Sequence, residues 1–334
     1  MKQRIEYIDL AKGFCISFVV LLHVYGELSG DVLKIMNLFR MPLYFFLSGL
    51  FFKTYDGFPD FLRKKTNKLL IPFFFCLLVT IIPSTILLNS MTQHELTMND
   101  FFWVDNIRFN LGINGASWFL LCLFAVNVYF YIIFLLTKQN IIWISLLSGI
   151  CGLIGYFLNI NDCFLPMWLD TALTAMPFFL IGYLMRRYSN ILYSQKSSKD
   201  YITGLISLFL LVAIYFFNSW RETGVICFGD NRFDIGVFPL YLGGFCGTYF
   251  VLMISKQIEH LPIFSYIGRY SIIVLLTHLL FLFVLRNIIY QLGISQDSVW
   301  VNMIVFIFIL LLSLPTIWFC KKYLPYFFAQ KDLW

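Results

Sequence analysis

The 334-residue chain is 60% hydrophobic, 20% aromatic and only 13% charged, whereas soluble globular domains run near about 25% charged. With a mean hydropathy of +0.80, that composition excludes an ordinary soluble domain and leaves an integral membrane protein. The formal charge of +6 would suit nucleic acid, but the cations fall in short breaks between apolar runs. Nucleic acid is therefore discounted as a partner, and membrane lipid is the expected neighbour.

Apolar windows divided by polar or Pro/Gly/Ser-bearing breaks predict ten helices, at about 11–26, 35–52, 69–88, 118–136, 141–158, 169–186, 201–218, 236–254, 268–290 and 300–319. The expected fold is all-α: a single membrane domain over 1–334, a bundle of about ten transmembrane helices with both termini cytoplasmic, multi-pass in the cell (plasma or inner) membrane. With the amino terminus inside, only Lys34, Arg40, Arg108, Arg221, Arg232 and Arg286 of the 24 cations lie outside, as the positive-inside rule requires. The amino terminus resembles a signal peptide, but Glu6 and Asp9 interrupt its flank and no small-residue cleavage site follows. It is retained as a span. The longest loop, about Asn89 to Ser117, is aromatic and polar and suits a short interfacial helix. No internal repeat and no paired Gly/Pro-broken spans are present, which weighs against a transporter. The eight cysteines lie mostly in apolar runs and read as buried small hydrophobes, with Cys163 and Cys227 as a candidate disulfide across outer loops.

The first span carries the densest chemistry. Lys12 and His23 are eleven residues apart, which on a helix leaves only about 20° of offset and about 16 Å of axial separation. A cation near the inner surface and an imidazole at membrane depth thus share one face. Such groups face a cavity or a partner, or else snorkel and bond a neighbouring helix. The second span opens with Arg40, able to grip an oxyanion or a sugar carboxylate through paired donors. Pro42 is placed in the first turn of that span, where a missing N–H costs little. Ser48-Gly49 allows close approach of a backbone or a ligand.

The first inner loop ends in a basic run, with Arg63, Lys64, Lys65 and Lys68 ahead of Leu-Leu-Ile-Pro72. It suits the phosphates of a cytoplasmic donor or, equally, anionic lipid. Trp118 opens the fourth span, ordinarily as an interfacial belt residue. Asp230, Arg232 and Asp234, beside Asn231 and Phe233, offer the groups that hydrogen-bond and stack on a sugar, though a hydrophilic turn looks the same. His278 falls near mid-bilayer on the ninth span. Two histidines without carboxylate or Cys partners at ligand spacing do not make a metal site, so no metal is expected.

Together Asp9, Lys12-x10-His23, Arg40…Phe45-Phe46-x-Ser48-Gly49, the basic run into Leu-Leu-Ile-Pro72, Trp118-Phe119-Leu120 and Ser271…Leu-x-His278 resemble acyltransferase family three, the ten-helix membrane O-acyltransferases. The resemblance covers nearly the whole chain, and the order and spacing of these short motifs make it specific. It implies transfer of an acyl group, commonly acetyl from acetyl-CoA, to a hydroxyl of a surface or exported carbohydrate, including a lipid-linked precursor. Lys12 stands where the family usually has Arg, and Lys65-x-x-Lys68 replaces an Arg-x-x-Arg pattern. Charge is kept in both cases while two-pronged gripping is lost.

On that basis His23, His278 and Arg40 are the expected catalytic groups. Lys12, Arg63, Lys65 and Lys68 would hold acetyl-CoA, and Asp230, Arg232, Asp234, Trp118 and Ser48 would meet the acceptor. Asp9 would pair with Lys12 or cap the helix. No hydrolase-like domain follows the tenth span in this sequence, so the membrane helices are expected to carry the transfer themselves. The competing reading is a transporter or flippase of a sugar or acylated anion, and association into a homo-oligomer is left open.

Overall fold

The computed structural model describes residues 5–26, 30–80, 103–104, 108–109, 111–188, 192–217, 224–296 and 298–334. Its α-helices are α1 Glu6–Tyr25, α2 Asp31–Leu50, α3 Phe58–Lys65, α4 Trp118–Leu136, α5 Ile141–Ile160, α6 Leu169–Tyr188, α7 Ser198–Phe216, α8 Val237–Ile258, α9 Pro262–Arg269, α10 Ser271–Gln291 and α11 Val299–Tyr323. Two minimal antiparallel hairpins accompany them, β1 Trp103–Val104 with β2 Arg108–Phe109, and β3 Ile226–Cys227 with β4 Arg232–Phe233. Eight helices among the described residues are long and apolar enough to cross a membrane. The fold is all-α and polytopic, as the apolar windows predict. The third predicted span is helical through residue 80, and the rest of it lies outside the described residues.

Several local expectations change. The helix at the second predicted span, α2, begins at Asp31, so Pro42 sits inside it and not in its first turn, and α2 is not among those eight. A polar first turn with Asp31 and Lys34 hides that start from a hydropathy window. The ninth predicted span, 268–290, is α10, and a further short helix, α9, precedes it and ends at Tyr270 (φ −117°, ψ 29°). The basic run is helical: α3 passes through a π-helical turn, Thr66–Leu70, into residues 71–80. Pro72 accounts for the wide turn. A proline ring crowds the carbonyl four residues back and supplies no N–H, and the turn instead closes with the Ile71 N–H on the Thr66 carbonyl. In the longest predicted loop, Trp103–Val104 pairs with Arg108–Phe109, and most of the stretch in which a short interfacial helix is expected lies outside the described residues. The eight cysteines form no disulfide, so the Cys163–Cys227 pairing is not made.

The chain forms two compact units. The first comprises Met1–Lys53, Val126–Cys163 and Asp170–Ser271. Its helices meet through small residues. A Cβ on Gly13 would collide with the Phe264 carbonyl and one on Gly268 with the Asp9 carbonyl, so α1 and α9 touch backbone to backbone. Gly49 and Gly182 do the same for α2 and α6, against the Phe179 and Phe46 carbonyls. Without a hydrophobic driving force between helices in lipid, such close van der Waals contact is a main source of association. Phe52 fills the adjoining space with Phe130, Phe134, Phe179 and Tyr183 around it. On α8, Gly244 and Gly247 receive Pro42 and Phe39 of α2. A buried ion pair joins α7 to α8, with Lys256 Nζ 2.8 Å from Asp200 Oδ2 and 2.7 Å from Ser194 Oγ.

The second unit comprises Thr54–Ala125, Phe164–Leu169 and Ile272–Trp334. The tail after α11 lies along α3 and the helical residues that follow it. Lys64 Nζ is 2.7 Å from Asp332 Oδ2, the Asn67 amide donates to the Trp334 carbonyl, and Phe327 stacks on Phe75 with ring centroids 4.4 Å apart. The Lys64 ammonium holds the Asp332 carboxyl below the usual carboxylate range. At the opposite end of α10, Arg286 Nη2 donates to Asn302 Oδ1 of α11 at 2.6 Å.

Candidate active site

In the first unit the site is built on α1. The helix is continuous from Glu6 to Tyr25, with Lys12 in its second turn and His23 in its last, so the eleven-residue spacing holds and both side chains share a face about 16 Å apart. Neither is sealed: both are partly exposed, in a helix whose other residues are mostly buried. Lys12 Nζ lies 4.3 Å from the centroid of Phe51, at the end of α2, a cation–π contact. Asp9 Oδ2 lies 3.9 Å from Arg269 Nε, brought there by the Gly13–Gly268 crossing.

Arg40 is buried on α2, with Nε donating to Asn37 Oδ1 at 3.0 Å. Its carbonyl accepts from the Cys15 thiol at 3.2 Å, which ties α2, just ahead of Pro42, to the stretch of α1 between Lys12 and His23. A carbonyl near a proline kink readily finds such a second donor. Ser48 is partly buried beside Gly49, whose lack of a side chain serves the approach of the α6 backbone.

The hairpin carrying Asp230, Arg232 and Asp234 is firmly held. Asn231 takes a left-handed conformation (φ 49°), one that Asn tolerates better than most residues. Its fully buried amide donates to the Gly155 carbonyl and accepts from Thr174 Oγ1. Asn159 pairs with both backbone groups of Phe233. Asp234 is used internally, its Oδ2 accepting from the Val225 N–H at 2.7 Å, while Asp230 and Arg232 are exposed on the turn and on β4.

In the second unit the basic residues have distinct surroundings. Arg63 is paired with Asp60 at 2.6 Å and Lys64 with Asp332. Lys65 lies over the Phe61 ring at 5.7 Å, and Lys68, within the π turn, is exposed. Trp118 tilts against Trp168, with centroids 6.4 Å apart. His278 is fully buried on α10 and its Nδ1 is 3.0 Å from the Val274 carbonyl. A carbonyl can only accept, so Nδ1 carries the hydrogen and the neutral ring presents a lone pair at Nε2.

Sequence reasoning passed over Asn114. It is fully buried four residues before Trp118, and its Nδ2 donates at 2.7 Å to the carbonyl of Leu276, two residues from His278. The same nitrogen contacts Cys76 Sγ, and the Cys76 thiol also reaches the Leu276 carbonyl. Leu276 is five residues into α10, about 8 Å from that helix's start, so the segment leading to Trp118 packs against the second turn of α10. An amide among Gly, Ile and Ala ahead of a span was the available signal. Among the described residues no group of three His, Cys, Asp or Glu side chains could hold a metal ion.

Comparison with known proteins adds one match. A family model described as an acyltransferase domain matches residues 5–321, nearly the whole chain. No curated protein and no solved structure matches it.

Proposed function

The chain belongs to acyltransferase family three, and from that premise we propose that it moves an acetyl group from cytoplasmic acetyl-CoA to a hydroxyl of a surface or exported polysaccharide, or of its lipid-linked precursor. The observation that carries the reading is α1, one unbroken helix with an ammonium and an imidazole on the same face. Their separation of about 16 Å suits the pantetheine arm of such a donor.

Each residue then has a role. Lys12, Lys65 and Lys68 attract the donor's phosphates as point charges. Arg63 and Lys64 have carboxylate partners in Asp60 and Asp332, and exposed Lys68 suits contact with phosphate. His23 takes the proton of the acceptor hydroxyl as its oxygen attacks the thioester carbonyl, or first accepts the acetyl itself. As the tetrahedral intermediate collapses the C–S bond breaks, and the imidazolium returns its proton to the departing thiolate.

Arg40, a permanent cation in a water-poor setting, is suited to the oxyanion, a kind of contribution reaching about 3–4 kcal/mol. His278 accepts through Nε2 when neutral, so it suits holding the acceptor hydroxyl and not donating to the oxyanion. Asp230 and Arg232, exposed on an anchored hairpin, suit contact with the saccharide, and the Trp118 ring offers a stacking face. Asp234, engaged by its own turn, shapes the hairpin. Both termini are taken to lie in the cytoplasm, on the charge distribution of the segments between spans.

Membranes containing the protein, incubated with acetyl-labelled CoA and extracted surface polysaccharide, should pass label to the glycan. Label remaining on CoA, or solute crossing the membrane without acetylation, would remove the reading.

A further inference from the structure

Asn114 stands where three otherwise separate pieces of the second unit meet. They are the helical residues 71–80 that follow the basic run, the turn that opens into Trp118, and the second turn of α10. Its Nδ2 reaches the Leu276 carbonyl at 2.7 Å and touches Cys76. That contact fixes the orientation of the amide, because exchanging its oxygen and nitrogen would set two acceptors against each other. Its Oδ1 is buried and has no hydrogen-bond partner among the described residues. An unmatched buried amide oxygen is costly to retain, and here it lies on a side chain bonded to the α10 turn that carries His278.

We propose that Asn114 is a substrate-binding residue: its amide nitrogen holds α10 beside His278, and its amide oxygen accepts a hydrogen bond from an N–H or O–H group of a bound substrate. The inference rests on the acetyl-transfer reading above. Two sources carry that chemistry, the amide N–H groups of the donor's pantetheine arm and a hydroxyl of the acceptor glycan. A carbonyl oxygen at this point cannot serve a thioester carbonyl, a phosphate or any other acceptor-only group. The site therefore selects for a hydrogen-bond donor, and an analogue lacking that hydrogen leaves the amide oxygen unmatched.

The test compares wild type, Asn114→Leu, Asn114→Asp and Cys76→Val in detergent, with kcat and KM measured separately for acetyl-CoA and for extracted surface polysaccharide. Asn114→Leu should lower kcat/KM about tenfold or more, through KM for one of the two substrates, and lower the thermal midpoint through the lost Leu276 contact. An effect on acetyl-CoA identifies the pantetheine amide, and an effect on polysaccharide identifies a hydroxyl. Asn114→Asp keeps an acceptor oxygen but turns a second one on the Leu276 carbonyl, so it should lose the α10 contact and thermal stability as well, whereas Cys76→Val, which leaves the amide intact, should stay within about threefold for the same substrate. A fall in kcat alone, an equal loss on both substrates, or unchanged parameters in Asn114→Leu would overturn the proposal. If Asn114→Leu fails to accumulate, the wild-type protein decides: acetyl-CoA N-methylated at its pantetheine amides, or polysaccharide lacking the acceptor-adjacent hydroxyls, should lower kcat/KM about tenfold or more for one of the two, and unchanged parameters with both overturn the proposal. Wild-type protein that transfers no acetyl group would sink the parent reading, whereas normal wild-type transfer with indifferent Asn114 variants sinks this inference alone.

Discussion

The two membrane histidines are held in opposite ways. His23 sits in the last turn of α1, partly exposed, on a helix fixed by backbone contact with α9 at Gly13 and Gly268. His278 is fully buried and tied by Nδ1 to its own helix at Val274. The first is placed by the position of its helix and is partly exposed. The second is placed by its own hydrogen bond, which fixes its tautomer as well. A group that must gain and lose a proton, or carry an acyl group, needs access, whereas one that orients a hydroxyl needs rigidity. On the proposed function, that difference suits His23 to the chemistry and His278 to the positioning.

That division can be broken most directly by His23→Ala. It should cost about 10²–10⁴ in kcat while the protein still accumulates, and near wild-type turnover in single-turnover assays would reverse the assignment. His278→Asn should cost less, about tenfold to a hundredfold in kcat/KM for the acceptor, because it removes the Nε2 acceptor. A larger loss than that of His23→Ala would exchange the two roles. Gly13→Ala tests how α1 is held. Its methyl group meets the Phe264 carbonyl, and such overpacking costs typically about 1–3 kcal/mol, to be read as a lowered thermal midpoint with activity lost in parallel.

The smallest effect concerns the tail. The Asp332 carboxyl is depressed by Lys64, so the contact stabilises above the carboxyl's ordinary value of about 3.9 and is lost as pH falls through the lower, folded value. Asp332→Asn should remove that acid sensitivity of tail protection in hydrogen exchange while leaving neutral-pH turnover within about twofold, since the pair is partly exposed and weak.

Much of the fold was legible because a membrane span announces itself by length and apolarity alone. The windows at 141–158, 169–186 and 300–319 lie within α5, α6 and α11. What such windows cannot read is a helix end that is polar or broken. Asp31 and Lys34 concealed the start of α2, Tyr270 divided α9 from α10, and the basic run looked like a loop because charge, not geometry, dominates its composition. On the candidate site, Lys12 and His23 were accessible because their relation is local, fixed by the period of one helix. Asn114 was not, and Asn231 read as a group for a sugar where it is a buried internal tie, because each acts through partners far away in sequence, Leu276 for one and Gly155 and Thr174 for the other. A helix apolar on every side gives no periodic signal of which face meets which neighbour.

The wide turn at Thr66–Leu70 adds one residue to a helical path, and in a helix one residue is worth about 100° of rotation. Deleting it would barely shorten the segment, but would swing everything beyond it, carrying the Cys76 thiol away from the Asn114 amide and the Leu276 carbonyl. Length variation at Lys65–Lys68 is thus a change of azimuth, and a homologue lacking that residue would offer a different face of 71–80 to α10.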